Sequence, residues 1–174
     1  VMQACTFQFM FSSCGAVFVD EGSSLLLDSC VFFNNTALRD PPPGPHNWWG
    51  GGGVFISHAN LDVINCTFRE QVALDHGGAI MNMMGQVRIH SSRFINNHAG
   101  SGGALYTFMW GSIKVEDSVF EGNWAGRCAH ACGRTCARAC MYACMRACTH
   151  AWHGMAWHTG MQACLPACMH ACVR

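Results

Sequence analysis

The chain has 174 residues, with ten basic and ten acidic side chains and therefore a formal net charge of zero. Charged residues make up only 11% of the chain, which argues against a helical bundle with charged outer faces. The balanced charge also gives no basic surface for nucleic acid. Neither a signal peptide nor an apolar run of about 18 residues is visible, so we expect membrane association only through parts outside this chain.

A repeat of about 26 residues runs through the first 126 residues. A cysteine or serine stands two residues before a phenylalanine at five places: Cys5/Phe7, Cys30/Phe32, Cys66/Phe68, Ser92/Phe94 and Ser118/Phe120. The phenylalanines are 25, 36, 26 and 26 residues apart, and an insertion over residues 39–49 accounts for the longest step. Such a period is typical of a solenoid of stacked units, whereas the alternative of a β-sandwich requires no constant period.

Apolar residues two positions apart indicate that each unit contains short strands with one buried face. We predict three strands per unit, formed by Leu-x-Leu, Cys-x-Phe and glycine-pair segments. Three strands in about 26 residues are too compact for βαβ units but fit one coil of a parallel β-helix. The predicted structural core is a stack of phenylalanines that includes Phe32, Phe68, Phe94 and Phe120.

Two further sets of residues recur at equivalent positions of successive units, and we call each such set a column. The aligned cysteines and serines are interpreted as small buried residues, without support for a disulfide. Asn35, Asn97 and Asn123 each follow a phenylalanine by three positions, and Gln71 takes that place in one unit. Because asparagine tolerates left-handed backbone, these positions are predicted to form the corners.

The Phe-x-x-Asn motif in 32–35, 94–97 and 120–123, together with Gly77-Gly78-Ala79-Ile80 and Gly102-Gly103-Ala104-Leu105, resembles the repeat of chlamydial-type polymorphic outer membrane proteins. The wider right-handed β-helix group, which includes pectin-lyase-like proteins, has similar coils. The resemblance covers roughly residues 1–126 and implies a right-handed coil and an adhesin-like, surface-exposed protein. We therefore expect an all-β fold: a right-handed parallel β-helix of about four and a half coils of ~26 residues, followed by a disordered low-complexity tail.

The insertion 39–49 is rich in proline, which predicts an extended loop that projects from the coils. Trp48 and Trp49 at its end are the candidate ligand-binding residues, because adjacent indoles can stack on a sugar or anchor a protein. The alternative is that both rings fold back over the flank of the coil.

Two triplets match the glycosylation sequon, Asn34-Asn35-Thr36 and Asn65-Cys66-Thr67. Such triplets arise by chance, and they matter when the chain is secreted by a eukaryote.

Residues 127–174 have a different composition and are not expected to form a folded domain. The weak metal-binding candidates are the cysteines at every fourth residue and two histidines: Cys128, Cys132, Cys136, Cys140, Cys144, Cys148, His130 and His150. Zinc sites use paired Cys-x-x-Cys knuckles, which this spacing lacks. The alternatives are a translated tetranucleotide repeat, which would encode Cys-Met-His-Ala as in Cys168–Ala171, and a disulfide-rich exposed segment.

No catalytic residues and no cofactor are predicted, since the acidic residues are scattered rather than stacked in phase. The leading hypothesis is a non-enzymatic structural or adhesin-like module at the cell surface or outside the cell, with a glycan or a cell-surface protein as partner. One alternative is a fragment of a carbohydrate-active β-helix enzyme, a polysaccharide lyase or hydrolase. The other is a metal-binding, cysteine-rich tail.

Overall fold

The computed structural model describes residues 1–38 and 50–126, which contain 19 short strands, numbered β1–β19 in chain order, and no helix. Every strand pairing in this part of the chain is parallel, and the strands form four sheets. There is accordingly no helix here with the length and apolarity required to cross a bilayer. The predicted all-β parallel fold is confirmed.

Each sheet takes one strand from every turn of the chain. Sheet A contains β1 (Met2–Gln3), β5 (Ser24–Asp28), β9 (Asn60–Ile64), β13 (Gln86–His90) and β17 (Ser112–Glu116). Sheet B contains β2 (Thr6–Gln8), β6 (Val31–Phe33), β10 (Thr67–Arg69), β14 (Arg93–Ile95) and β18 (Val119–Glu121). Sheet C contains β3 (Phe11–Ser12), β7 (Thr36–Ala37), β11 (Val72–His76), β15 (His98–Ser101) and β19 (Trp124–Ala125). Sheet D contains β4 (Val17–Val19), β8 (Val54–Ser57), β12 (Ile80–Met83) and β16 (Leu105–Phe108).

The chain visits sheets A, B, C and D in that order, so β1–β16 make four complete turns and β17–β19 begin a fifth. Phe68 is in register with Phe94, 26 residues later, as the repeat predicts. Phe32 is in register with Phe68 across 36 residues. The insertion 39–49 therefore lies between β7 and β8 and leaves the register of the sheets unchanged.

The prediction of three strands per turn is wrong, because each complete turn has four. The missed strand belongs to sheet C, where Ala37, Ala73 and Ala99 are buried and form a small cluster of their own. Its shortest strands have two residues and a single inward position, so they carry no period-two signal. The alanine column was visible in the sequence, but its spacing gave no reason to assign a strand to it.

The phenylalanines of sheet B form the predicted stack through the core. The centroids of Phe7, Phe32, Phe68, Phe94 and Phe120 are 4.7, 4.5, 4.9 and 4.6 Å apart in that order. Phe32, Phe68 and Phe94 are fully buried. Identical rings therefore stack at the spacing of parallel strands, which confirms the predicted structural core.

The asparagine column lies at the corner between sheets B and C, but its role differs from the prediction. Asn35, Asn97 and Asn123 are buried and are not left-handed; the left-handed residue is the one before, such as Asn34 (φ 50°) or Asn96 (φ 52°). The buried side-chain amide instead forms hydrogen bonds to the preceding turn. Asn97 donates from Nδ2 to the carbonyl of Phe68 at 3.1 Å and accepts from the Gln71 N–H at 3.0 Å.

The cysteine and serine column lies at the corner between sheets A and B, and its members are more than the small buried residues that were predicted. The Cys66 Sγ accepts from the Cys30 N–H at 3.3 Å, and the Ser92 Oγ accepts from the Cys66 N–H at 3.1 Å. The Ser118 Oγ in turn accepts from the Ser92 N–H at 3.0 Å. The four cysteines of the described residues are free thiols. Burial raises the pKa of Cys66 to about 11, so its thiol stays protonated and unreactive at neutral pH.

Candidate functional site

The residues that the sequence singled out for binding lie outside the described residues. Trp48 and Trp49 belong to the insertion 39–49. The weak metal candidates Cys128, Cys132, Cys136, Cys140, Cys144, Cys148, His130 and His150 belong to residues 127–174. These assignments therefore stay predictions. Within 1–38 and 50–126, no three His, Cys, Asp or Glu side chains come together in a way that could hold a metal ion.

Both ends of the insertion are anchored at the corner between sheets C and D. The Leu38 N–H donates to the carbonyl of Ser12 at 2.7 Å, which continues sheet C by one residue. Gly50 forms an isolated parallel β-bridge with His76, and the Gly51 N–H donates to the His76 carbonyl at 2.9 Å. Both ends of the insertion that carries Trp48 and Trp49 thus belong to the same turn, and they are held by the turn before it and the turn after it.

A shallow groove of about 430 Å³ lies on the solvent-facing side of sheet B. We call it the outer-face groove. It is lined by Thr6, Gln8, Val31, Phe33, Thr67, Arg69, Arg93 and Ile95. The groove exists because the three-residue strands of sheet B point one residue inward and two outward. The first and third residues of successive strands then form two columns parallel to the axis of the β-helix.

The floor of the groove combines apolar side chains with a stacked guanidinium group. Val31, Phe33 and Ile95 supply the apolar surface. The Arg69 guanidinium lies over the Phe33 ring, 4.4 Å from its centroid. This cation–π contact places the guanidinium group of Arg69 over the Phe33 ring within the groove.

The two arginines of the groove differ in their electrostatic partners. Arg69 Nε lies 3.5 Å from Glu70 Oε1, so its charge is partly balanced. Arg93 is exposed and forms no ion pair within residues 1–38 and 50–126. The nearest acid on this face by register is Glu121, which follows Ile95 in the next turn. The groove therefore offers one balanced and one unpaired guanidinium above an apolar floor.

The arrangement suits recognition of an elongated, partly charged molecule. Its volume falls within the range of ligand sites, but it is an open groove rather than an enclosed pocket. The exposed Thr6 and Gln8 and the half-buried Thr67 add hydroxyl and amide groups as hydrogen-bonding partners. Guanidinium groups can bind carboxylates in a bidentate manner.

The repeat does not predict the outer-face groove, because the outward residues of sheet B differ from turn to turn. Their only signal was alternation, since Thr67 and Arg69 flank the buried Phe68. The same alternation recurs around Phe32 and Phe94. Once the phenylalanine stack is assigned to the core, the flanking residues must face solvent, and Arg69 and Arg93 could have been identified in this way.

The chain matches the model of the family described as right-handed β-helix region over residues 1–145. No curated protein and no solved structure matches the chain significantly.

Proposed function

The chain belongs to the right-handed β-helix family, and from that premise we propose a non-enzymatic binding module of the cell surface or the extracellular space. Its outer-face groove binds an acidic glycan. The observation that carries this proposal is the unpaired Arg93 in a groove whose apolar floor includes Val31, Phe33 and Ile95.

The chemistry of the groove supports a glycan in two ways. A sugar ring presents an apolar C–H face and a rim of hydroxyl groups, which match the floor and the surrounding donors respectively. A carboxylate on the sugar would pair with Arg93, and a charge-assisted hydrogen bond of this kind contributes about 1.5–3 kcal/mol. The groove runs across successive turns, so an extended polymer can contact more than one turn.

A surface location agrees with the resemblance of the repeats to polymorphic outer membrane proteins. Trp48 and Trp49 would extend the same binding function from the insertion, as rings that stack on sugars. The Trp48→Ala/Trp49→Ala variant tests the contribution of the insertion by its effect on glycan binding.

A titration with a polyuronate tests the groove directly. The probe is alginate, with dextran as a neutral polysaccharide for comparison. We expect the protein to bind alginate more tightly than dextran, and Arg93→Gln to weaken alginate binding about tenfold or more, because it removes a charge-assisted bond. Added salt should reduce alginate binding and leave dextran binding nearly unchanged.

Arg88→Gln is the matched control. Arg88 is exposed on sheet A, where its Nη1 lies 3.8 Å from Asp62 Oδ1, and it is outside the groove. Equal losses for Arg88→Gln and Arg93→Gln would indicate a nonspecific charge effect and overturn the proposal. Absence of binding to either polysaccharide would also contradict it, and depolymerisation of alginate would identify the chain as a carbohydrate-active enzyme instead.

A further inference from the structure

The two glycosylation sequons of the chain occupy equivalent positions in different corners. In both, the asparagine has left-handed backbone, with φ 50° at Asn34 and 51° at Asn65. In both, the middle residue points inward and is buried, and the threonine begins the next strand. Only the surroundings of the two asparagines distinguish them.

Asn65 lies at the corner between sheets A and B, among small side chains. It is exposed, and its register neighbours in the turns before and after are Ser29 and Ser91, which are exposed as well. Among residues 1–38 and 50–126, Asn65 Nδ2 donates only to the Ser29 Oγ, at 3.2 Å. An oligosaccharide on Nδ2 leaves one amide hydrogen for this bond, and the small neighbours leave space for the first sugar.

Asn34 lies at the corner between sheets B and C, among larger side chains. It is half-buried, and Phe9 and Glu70 occupy the equivalent positions in the turns before and after. The Phe9 ring packs edge-on against the Phe33 ring, with 5.4 Å between the ring centroids, and Glu70 forms an ion pair with Arg69. Two larger side chains therefore flank Asn34, in place of the two serines that flank Asn65.

We propose that Asn65 is a site of N-linked glycosylation when the chain passes through a eukaryotic secretory pathway, and that Asn34 is not occupied in the folded protein. The donor is an oligosaccharide on a lipid diphosphate. The Asn65 Nδ2 forms a bond to C1 of the first sugar as the C1–O bond to the diphosphate breaks. The amide loses one proton, and the lipid diphosphate leaves with the bonding electron pair.

The test is secretion of the full 174-residue chain from a eukaryotic cell, with peptide mapping before and after enzymatic removal of N-glycans. The medium and the soluble contents of the secretory compartment are both analysed, so retention of the protein does not remove the measurement. We expect one oligosaccharide per chain, located at Asn65. Asn65→Gln and Thr67→Val should each abolish it, whereas Thr67→Ser, Asn34→Gln and Thr36→Val should retain it.

A gain-of-site variant gives an independent test of the corner. Ala4 is the exposed, left-handed residue of the same corner in the first turn, and it precedes Cys5 and Thr6. Ala4→Asn therefore creates a sequon with the same sequence as that of Asn65, and we expect a second oligosaccharide. An unmodified Asn65, or occupancy of Asn34 equal to that of Asn65 in soluble protein, would overturn the proposal.

Discussion

Polar side chains hold the corners of this β-helix, because backbone groups released from the sheets at each bend need hydrogen-bond partners. The asparagine column at the corner between sheets B and C shows the pattern. Asn123 donates from Nδ2 to the Phe94 carbonyl at 2.9 Å and accepts from the Asn97 N–H at 2.9 Å. Each asparagine thus binds a carbonyl and an N–H of the preceding turn.

Gln71 interrupts the asparagine column. Its Nε2 donates to the carbonyl of Arg69 in its own turn, at 2.6 Å, and its Oε1 accepts from the Asn35 side chain at 3.0 Å. Within the part of the chain that the structure describes, Gln71 reaches neither the Phe32 carbonyl nor the Asn35 N–H. The additional methylene moves the amide past the position that asparagine occupies.

We predict that Gln71→Asn increases the free energy of unfolding by about 1 kcal/mol, because it restores two buried hydrogen bonds to the preceding turn. Chemical denaturation followed by circular dichroism measures the change. The reverse substitution in the next turn, Asn97→Gln, is the matched control and should decrease stability. A destabilised Gln71→Asn variant would show that the glutamine is adapted to its site and would contradict this account.

At the residue scale, the sequence predicted the columns that carry a strong size or polarity signal. The phenylalanine stack was predicted correctly, since rings such as Phe68 recur in phase beside other apolar residues. The left-handed corner was placed one residue too late, because Asn34 and Asn35 are both asparagines and the repeat marks only the second. In other turns the left-handed position holds Phe9 or Glu70, which no propensity rule would select.

At the element scale, glycine pairs allow neighbouring turns to approach closely between sheets C and D. Gly77 and Gly102 have positive φ, at 62° and 64°. The second glycine of each pair has another function: a Cβ on Gly78 would collide with the carbonyl oxygen of Gly103 and would lie 2.8 Å from the His98 nitrogen. The first glycine therefore meets a backbone requirement, and the second leaves space for the adjacent turn.

We predict that Gly78→Ala decreases the free energy of unfolding by about 1–3 kcal/mol or more, since the methyl group forces two turns apart. Gly22→Asn is the control. Gly22 has φ 71° but no atom within 4 Å of an added Cβ, and asparagine tolerates this conformation. The denaturation midpoints of the two variants are compared. Equal midpoints would indicate that the added methyl group at Gly78 does not lower the free energy of unfolding.

The strands that escaped prediction carry neither a two-position pattern nor a glycine pair. Strands of sheets A and B were predicted from residues two positions apart, as in Leu61 and Val63 of β9, and those of sheet D from the glycine pairs that precede them. Sheet C was not, because an isolated alanine such as Ala37 is equally compatible with a turn. The outer-face groove escaped for a related reason: its side chains vary from turn to turn, and periodicity cannot identify a surface that does not repeat.

At the scale of the whole molecule, the period of about 26 residues predicted the stacking, because each turn contributes equivalent strands to every sheet. The Trp48 and Trp49 site stays a prediction, since the insertion lies outside the described residues. Stacking also determines how stability is distributed. Strands such as β9 and β13 have partners on both sides, whereas β1 and β17 have one partner each among the described strands.

We therefore predict a gradient of hydrogen exchange along the axis of the β-helix. Amides of β9–β12 should exchange most slowly and those of β1–β3 much faster, because a solenoid opens from turns with one neighbour. The burial of the phenylalanine stack agrees with this gradient, because Phe68 is fully buried whereas Phe7 of the first turn is half-buried. Exchange measured by mass spectrometry on the intact chain tests this, with Phe68→Leu expected to accelerate exchange in β6, β10 and β14 together. Uniform protection from β1 to β19 would instead indicate that all turns unfold as one cooperative unit.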